Sequence, residues 1–393
     1  MGFLRIREFG ISHFPHNKWL RKKATQAIIR GFKKYLISEA DVVSAENDYE
    51  KKKIIVSRQK DKWLKKYNYI ASYAKKTLSE SPLYCDRQDK EKIEIEMLFA
   101  YFAYGFLPDE YIFFALEDKS YKERKEYVSD MDRLVYVFRM NDFAEKRFMC
   151  DKFETYKLLG EFYGREAISI ETENDYGKFV EFIKHHPVFV KKLVFETKGH
   201  SVELIDSGIF PNKHFLFNEL VSKGKTILEE RIKQSEEMAS FNESSLNTVR
   251  VVSINTRDGV VLPHAFLKNG HAGSFVDNGG AGGILIGIDP MTGKLISHGY
   301  DEMGNTFIRH PESGVEYMGR QLPDWNQGLE LCKAAASKVP FFKYIGWDIA
   351  HTDKGWVLVE GNKAGQMVGQ QMTLGRGIKA EMDALIANVD LIC

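Results

Sequence analysis

The stretch Gly346–Asn362, GWDIAHTDKGWVLVEGN, is the part of the sequence on which the prediction of the fold rests. Two apolar-rich runs flank Asp353-Lys354-Gly355, which predicts a β-hairpin with a three-residue loop that ends in a left-handed glycine. Such a loop pairs Thr352 with Trp356. It thereby determines which residues face one another along the two strands.

In this register, two acidic residues and an amide share one face of the hairpin. Asp348 lies across from Glu360, where like charges roughly 5 Å apart repel one another. Asn362 follows on the same face, opposite Gly346, which leaves open space. Two carboxylates and an amide oxygen at one gap are the hard ligands that suit Mg²⁺ bound to phosphates. The alternative is an edge hairpin whose carboxylates face water, and the hairpin alone does not decide between the two.

Length, charge and cysteine content restrict the class of protein. The 393 residues are enough for two or three domains, and a formal net charge of +1 does not favour nucleic acid as a partner. The four cysteines are far apart and form no zinc-binding spacing, which is typical of a reducing compartment. We find no signal-peptide pattern and no apolar run near the roughly 20 residues of a membrane span. We therefore predict a soluble cytoplasmic protein.

The beginning of the chain is strongly basic, with 19 Lys and Arg against 8 Asp and Glu in residues 1–80. Apolar spacings of three and four in residues 17–37 predict an amphipathic helix with basic residues among them. This helix either packs on its own domain, which is the more common case, or contacts an anionic membrane at its inner face. The dense aromatic residues at 99–114 predict a helical core rather than a ligand cage. We predict a mainly helical N-terminal region at residues 1–145.

From about residue 146 the pattern changes to mixed α/β. Asp151-Lys152 opens a helix, and residues 187–194 predict a buried strand that carries Lys191 and Lys192. Lysine is rarely buried without a partner, so this strand indicates a nearby anion, although a lysine that extends from a strand edge explains it almost as well. The polar turn at 196–201 is either a loop over phosphates or an ordinary hairpin turn.

Two further strands are predicted at residues 226–232 and 245–254. Arg250 lies among β-branched residues of the second strand, so its guanidinium needs a carboxylate or phosphate partner, either in an internal salt bridge or at a ligand site. The glycine-rich stretch Gly270–Gly283 is either a close approach of backbone to a ligand or an exposed loop. No complete P-loop, GxGxxG, GxSxG or HExxH motif is present.

The order of these parts resembles that of the ATP-grasp superfamily, which includes the D-alanine–D-alanine ligases. The strongest match is Glu360-Gly-Asn362 preceded by Asp348. A narrower resemblance is to the bacterial sugar-transfer-associated ATP-grasp group, which is predicted to act in cell-surface polysaccharide biosynthesis. The phrases that carry it are Tyr104-Gly-Phe-Leu-Pro108, Ser245–Arg250, Asp277-Asn-Gly, His310-Pro and Gly346-Trp-Asp348.

The resemblance implies a fold and a division of the chain. The class is α+β, with an ATP-grasp fold in which two α+β lobes clamp ATP, preceded by the helical N-terminal region. We place the N-terminal lobe at residues 146–225. The C-terminal lobe, with the metal site, then occupies residues 226–393.

The resemblance also implies nucleotide contacts. Lys152 and Lys191 correspond to the lysines that contact phosphates. The loop that closes over the phosphates corresponds to Lys198, Gly199, His200 and Ser201. The strand between the lobes, whose backbone contacts adenine, corresponds to Glu229, Glu230, Arg231 and Ile232. The ribose position corresponds to Glu236 or Glu237.

For the metal and the reaction, the resemblance implies a second set of residues. Asp348, Glu360 and Asn362 correspond to the ligands of Mg²⁺, usually two ions. Arg250 corresponds to the residue near the transferred phosphoryl group and the acyl phosphate. Arg250 and Lys191 are thus the predicted catalytic side chains.

The chemistry that such sites perform needs no enzyme nucleophile. A carboxylate attacks the γ-phosphate of ATP, and an amine then displaces phosphate from the acyl phosphate. We predict an ADP-producing carboxylate–amine ligase that forms an amide on a uronic-acid-bearing cell-surface glycan or its precursor. Lys363-Ala-Gly replaces the Pro-Gly turn of many such ligases, which leaves the substrate open. The alternatives are an ATP-grasp kinase that phosphorylates a hydroxyl and a non-catalytic nucleotide-binding subunit of a polysaccharide assembly complex. The sequence does not determine the oligomeric state.

Overall fold

The computed structural model describes residues 17–145, 147–194, 202–270 and 282–393. The predicted phosphate loop, Lys198, Gly199, His200 and Ser201, lies outside these described residues, as does most of the glycine-rich stretch at 270–283. The described chain forms a helical region followed by two antiparallel sheets with flanking helices, which agrees with the predicted α+β class.

The helical region begins with an amphipathic helix, as predicted. Its helices are α1 (Lys18–Lys33), α2 (Glu39–Ala45), α3 (Tyr49–Lys62), α4 (Leu64–Glu80), α5 (Lys90–Tyr104), α6 (Pro108–Phe113), α7 (Tyr121–Glu126) and α8 (Asp130–Met140). The apolar side of α1 packs internally, with the ring centroids of Phe32 and Phe138 5.6 Å apart. Trp19 and Leu20, at the start of α1, are exposed. Contact of this helix with an anionic membrane stays a prediction. Among the described residues, no helix combines the length and apolar composition needed to cross a membrane.

The smaller sheet has the order β1-β4-β2-β3. Its strands are β1 (Ala167–Ile170), β2 (Val188–Leu193), β3 (Glu203–Asp206) and β4 (Thr226–Glu230). The helices of this part of the chain are α9 (Arg147–Cys150), α10 (Lys152–Leu159), α11 (Tyr176–His185) and α12 (Lys213–Ser222). Phe189 and Leu228 on one face of the sheet pack with the apolar residues of α11 and α12, whereas Ile227 on the other face packs near α10.

The larger sheet has the order β11-β10-β5-β6-β7-β8-β9. Its strands are β5 (Thr248–Thr256), β6 (Gly259–Asn269), β7 (Ile284–Ile288), β8 (Leu295–Tyr300), β9 (Thr306–Phe307), β10 (Tyr344–Thr352) and β11 (Gly355–Asn362). The remaining helices are α13 (Glu236–Ala239), α14 (Trp325–Lys338), α15 (Val368–Leu374) and α16 (Lys379–Ala387).

The two faces of the larger sheet have different coverings because side chains alternate along each strand. Val249, Val251 and Trp347 belong to a core that also contains the apolar residues of α14. The opposite face carries Arg250 and Asp348. Helix α15 lies on that face, where a Cβ on its Gly369 would come 2.6 Å from the ring of Phe266.

The β10–β11 hairpin is present, but its loop differs from the predicted one. Thr352 pairs with Gly355 rather than with Trp356, so the loop contains only Asp353 and Lys354. The left-handed glycine predicted at the end of the loop is present. The conformation depends on glycine, because Gly355 has φ of +101° and a Cβ there would come 2.3 Å from Gln327 Oε1.

A β-bulge compensates for the shorter loop. Ile349 pairs with Leu358, whereas Asp348 pairs with Glu360, so Val359 is an extra residue on β11. Gly346 pairs with Asn362. The predicted opposition of Asp348 and Glu360 is therefore confirmed, although the pairing of Thr352 with Trp356 from which it was predicted is wrong.

Candidate functional site

Asp348 on β10 lies at the centre of the candidate site, between two cations of neighbouring strands. Arg250 is its partner on β5 and donates from Nε to Oδ1 at 2.6 Å and from Nη2 to Oδ2 at 2.9 Å. Lys268 Nζ on β6 lies 3.2 Å from Oδ1. Burial raises the pKa of Asp348, but the charges and hydrogen bonds of Arg250 and Lys268 outweigh burial and lower the pKa to about 2. Asp348 is therefore ionised at neutral pH.

Asn362 connects the two carboxylates of the hairpin. Its Nδ2 lies 3.3 Å from Asp348 Oδ2 and 3.1 Å from Glu360 Oε1. The structure therefore brings together the three side chains that were predicted to bind metal. The space opposite Asn362 is not open, however, because a Cβ on Gly346 would lie 2.9 Å from Arg250 Cδ. The predicted gap is filled by the Arg250 side chain, which only glycine at 346 permits.

A second charged cluster lies on the smaller sheet. Glu229 Oε2 accepts hydrogen bonds from Arg165 Nε at 3.0 Å, from Arg165 Nη2 at 2.7 Å and from Lys192 Nζ at 2.9 Å. Burial raises the pKa of Glu229, but Arg165 and Lys192 outweigh it and lower the pKa to about 2. Glu229 is therefore a buried, ionised carboxylate held by two cations.

Arg165 also connects this cluster to the hairpin. Its Nη1 donates to the carbonyl oxygen of Leu358 at 2.6 Å, and its Nη2 lies 3.2 Å from that of Val359. Both carbonyls belong to β11, which ends in Glu360 and Asn362. The face of the smaller sheet that carries Glu229 and Lys192 is thus directed toward the strand that carries two of the candidate metal ligands.

Lys191 lies on the opposite face of the smaller sheet. It pairs with Leu228, which belongs to the core beneath α11 and α12, and its Nζ lies 2.8 Å from Glu203 Oε1. Only 2% of Lys191 is exposed. The structure therefore brings Lys192, and not Lys191, together with Glu229 and Arg165. The contact of Lys191 with phosphate stays a prediction.

A comparison with models of protein families connects this geometry to known proteins. The model for sugar-transfer-associated ATP-grasp proteins matches residues 133–387, which is more than half of the chain. The chain belongs to this family. The predicted family and the predicted ATP-grasp fold are thus confirmed. A comparison with curated proteins gave no match.

Solved ATP-grasp structures have low similarity to the chain. The ATP-grasp ligase PsnB, complexed with a minimal precursor, is 14% identical, with 66% of this chain and 71% of that chain covered and a TM-score of 0.40. D-cycloserine synthetase DcsG is 11% identical, with 63% of this chain and 72% of that chain covered and a TM-score of 0.39. The D-alanine–D-alanine ligase of Helicobacter pylori is 11% identical, with 64% of this chain and 64% of that chain covered and a TM-score of 0.38.

In this ATP-grasp protein, Lys152 begins helix α10 as predicted. Asp151 caps the helix, because its Oδ1 accepts hydrogen bonds from the backbone N–H groups of Phe153 and Glu154 at 2.9 and 3.1 Å. Lys152 Nζ donates to the carbonyl oxygen of Leu193 at 3.1 Å, at the end of β2. Lys152 therefore lies beside the strand that leads toward the predicted phosphate loop.

The predicted adenine segment crosses from the smaller sheet to the larger one. Glu229 and Glu230 end β4, and Arg231 and Ile232 follow the strand. Ser235 then caps α13, which contains Glu236 and Glu237. The backbone N–H of Ser235 donates to the carbonyl oxygen of His351 at 2.9 Å, and the two side chains are also 2.9 Å apart. The segment is thus fixed to β10, the strand of Asp348.

Three residues of the site were not among the predicted site residues: Arg165, Lys192 and Lys268. Lys268 carries the same signal as Lys191, a lysine within an apolar strand, and could have been found by it. Lys192 was noted, but its face depends on the pairing of β2 with β4. Arg165 lies in a connection before β1 and gives no local signal.

Proposed function

We propose that this ATP-grasp protein is an ADP-producing ligase that joins a carboxylate to an amine through an acyl phosphate. The observation that carries the proposal is the convergence of Asp348, Glu360 and Asn362 beside Arg250 and Lys268. The oxygen-bearing side chains are of the type that binds divalent cations, and the two cationic side chains are of the type that contacts the phosphates of a nucleoside triphosphate. The proposal also rests on membership of the ATP-grasp family.

The donor set fits Mg²⁺. The described residues contain no group of three or more His, Cys, Asp and Glu able to hold a metal, and the candidate set instead joins two carboxylates to an amide. Asn362 directs its Nδ2 at both carboxylates, and a half-turn of the amide would direct Oδ1 there instead. Asp348, Glu360 and Asn362 would then hold Mg²⁺, for which we propose two ions. When bound, Mg²⁺ neutralises charge on the phosphate oxygens.

The roles proposed for the protein side chains follow from their contacts. Arg250 keeps Asp348 ionised and oriented through Nε and Nη2, which leaves Nη1 outside that ion pair. In the proposed reaction, Nη1 of Arg250 and Nζ of Lys268 stabilise negative charge on the transferred phosphoryl group. Lys192 holds Glu229 on the face toward β11 and is our candidate for a phosphate contact from the smaller sheet.

The remaining nucleotide contacts are proposed from the family pattern. They are Lys152 with the loop Lys198–Ser201 at the phosphates, Glu229–Ile232 at adenine and Glu237 at the ribose. The fixed path of the segment after β4, which ends at Ser235 against β10, supports the adenine assignment. A uronic-acid-bearing glycan or its precursor is the proposed carboxylate, because the family is associated with sugar transfer.

The experiment is to incubate the protein with ATP, Mg²⁺ and a panel of uronic acids, with hydroxylamine in place of the amine. We expect ADP release that depends on the acid, together with a hydroxamate detected by mass spectrometry. Asp348→Asn should abolish both. A phosphorylated hydroxyl without hydroxamate would establish the kinase instead. Binding of an ATP analogue without turnover of any acid, across the panel and with amines, would favour the non-catalytic subunit.

A further inference from the structure

The segment that follows the candidate metal ligands is held by three buried side chains. Asn141 Nδ2 donates to the carbonyl oxygen of Lys363 at 2.6 Å. Arg133 Nη1 donates to that of Ala364 at 2.8 Å. The hydroxyl of Tyr344 lies 3.3 Å from that of Gly365. Three consecutive carbonyls, which we call the carbonyl clamp, are thus fixed immediately after Asn362.

Asn141 also fixes the beginning of the strand that carries Asp348. Its Nδ2 donates to the carbonyl oxygen of Tyr344 at 2.8 Å, and its Oδ1 accepts from the backbone N–H of Tyr344 at 2.8 Å. Only 1% of Asn141 is exposed. One side chain therefore joins the first residue of β10 to the residue after β11.

Two of the three clamp donors belong to the end of the helical region rather than to the sheet. Arg133 lies within α8 and Asn141 caps its C-terminus. Arg133 is itself held by Asp130, which accepts a hydrogen bond from its Nε at 3.0 Å. Gln371 adds a further connection, because its side chain exchanges hydrogen bonds with the backbone N–H and carbonyl of Val128 at 2.7 and 3.0 Å.

We infer that Asn141 and Arg133 are positioning residues of the active site. They act through the carbonyls of Lys363 and Ala364, which keep Asn362 directed at Asp348 and Glu360. The clamp also fixes the backbone of residues 363–365, which directly follow Asn362. The helical region therefore helps to determine the geometry of the site. The inference rests on the proposed function for its catalytic meaning, but the clamp can be tested without it.

The test compares Asn141→Asp with Tyr136→Phe. Asp keeps the acceptor for the Tyr344 N–H but replaces the donor to two carbonyls with an oxygen, which repels them. Tyr136 joins the same helix α8 to α16, because its hydroxyl donates to Asp383 Oδ1 at 2.6 Å rather than to a carbonyl of the clamp. Tyr136→Phe is therefore a control for the loss of one hydrogen bond between α8 and the rest of the protein.

The first measurement is hydrogen–deuterium exchange in the ligand-free protein. We expect the amides of residues 362–366 to exchange at least tenfold faster in Asn141→Asp and at the wild-type rate in Tyr136→Phe, a difference that corresponds to about 1.4 kcal/mol. The inference is overturned if the two variants exchange alike in this segment. This result does not depend on any activity.

The second measurement is the Mg²⁺ dependence of binding of a non-hydrolysable ATP analogue. We expect the half-saturating Mg²⁺ concentration to rise about tenfold in Asn141→Asp but not in Tyr136→Phe. Unchanged Mg²⁺ dependence with faster exchange would overturn the positioning role and leave a structural one. If the wild type binds no analogue, the proposed function fails while the exchange result still decides the clamp. If Asn141→Asp does not fold, Arg133→Lys replaces it, since the single nitrogen of lysine does not reproduce the separate contacts of Nε with Asp130 and of Nη1 with Ala364.

Discussion

Replacement of Asp348 by asparagine tests the electrostatics of the site directly. The variant keeps the shape of the side chain but removes the charge that Arg250 and Lys268 share. The pKa of Asp348 falls from its ordinary value of 3.8 to about 2. A tenfold change in acidity corresponds to about 1.4 kcal/mol, so ionisation of Asp348 contributes about 2 kcal/mol to the free energy of unfolding at pH 7.

The pH dependence of this effect has a definite sign. Because the pKa is lower in the folded protein, the contribution is fully present above pH 3.8 and is lost as the pH falls toward about 2. Two buried cations without their carboxylate add a further penalty in the variant. We therefore expect Asp348→Asn to lose about 2 to 4 kcal/mol at pH 7, and the difference from wild type to shrink below pH 3.8.

The assay is urea unfolding of both proteins at pH 7, pH 5 and pH 3. Glu330→Gln is the matched control, since Glu330 forms an exposed pair with Lys333 at 2.8 Å and such pairs contribute less than about 1 kcal/mol. If Asp348→Asn is as stable as Glu330→Gln at pH 7, the ion pairs of Asp348 do not stabilise the protein. If the loss of stability at pH 3 equals the loss at pH 7, the ionisation of Asp348 is not its cause.

Two further outcomes are expected. Lys192→Met should raise the dissociation constant of an ATP analogue about tenfold by calorimetry, whereas Lys191→Met, on the other face of the sheet, should leave it unchanged; equal effects would return the phosphate contact to Lys191. Gly355→Ala should lower the free energy of unfolding by about 1 to 3 kcal/mol, measured by urea denaturation, because its φ of +101° and the contact with Gln327 exclude a side chain; stability equal to wild type would show that the loop adapts.

The hairpin has one feature that could be predicted from the sequence and one that could not. Alternation and the glycine in the loop predicted that Asp348 faces Glu360, and this is what the structure has. The loop is one residue shorter than predicted, and without the bulge at Val359 every later residue of β11 would have turned to the other face. A bulge leaves no reliable mark in the sequence, since it depends on how the strand packs.

The charged partners were harder to predict for a different reason. Arg165 reaches both Glu229 and the carbonyl of Leu358, which are far apart in the chain and meet only in the folded protein. Lys191 and Lys192 are adjacent, so composition treats them alike. Their pairing with β4 places them on opposite faces, and only that register decides which one lies toward β11.

The charges of the two clusters suggest how the proposed site would acquire its metal. On the hairpin, Asp348 and Glu360 are balanced by Arg250 and Lys268, so the protein ligands offer a divalent cation no excess of negative charge. Across from them, Glu229 is outnumbered by Arg165 and Lys192, which favours a polyanion. A site of this kind attracts Mg²⁺ weakly by itself and strongly once a triphosphate supplies the missing charge and the remaining oxygen ligands. Metal and nucleotide would therefore bind together, which makes the orientation of Asn362, and hence the clamp behind it, decisive at the moment of binding.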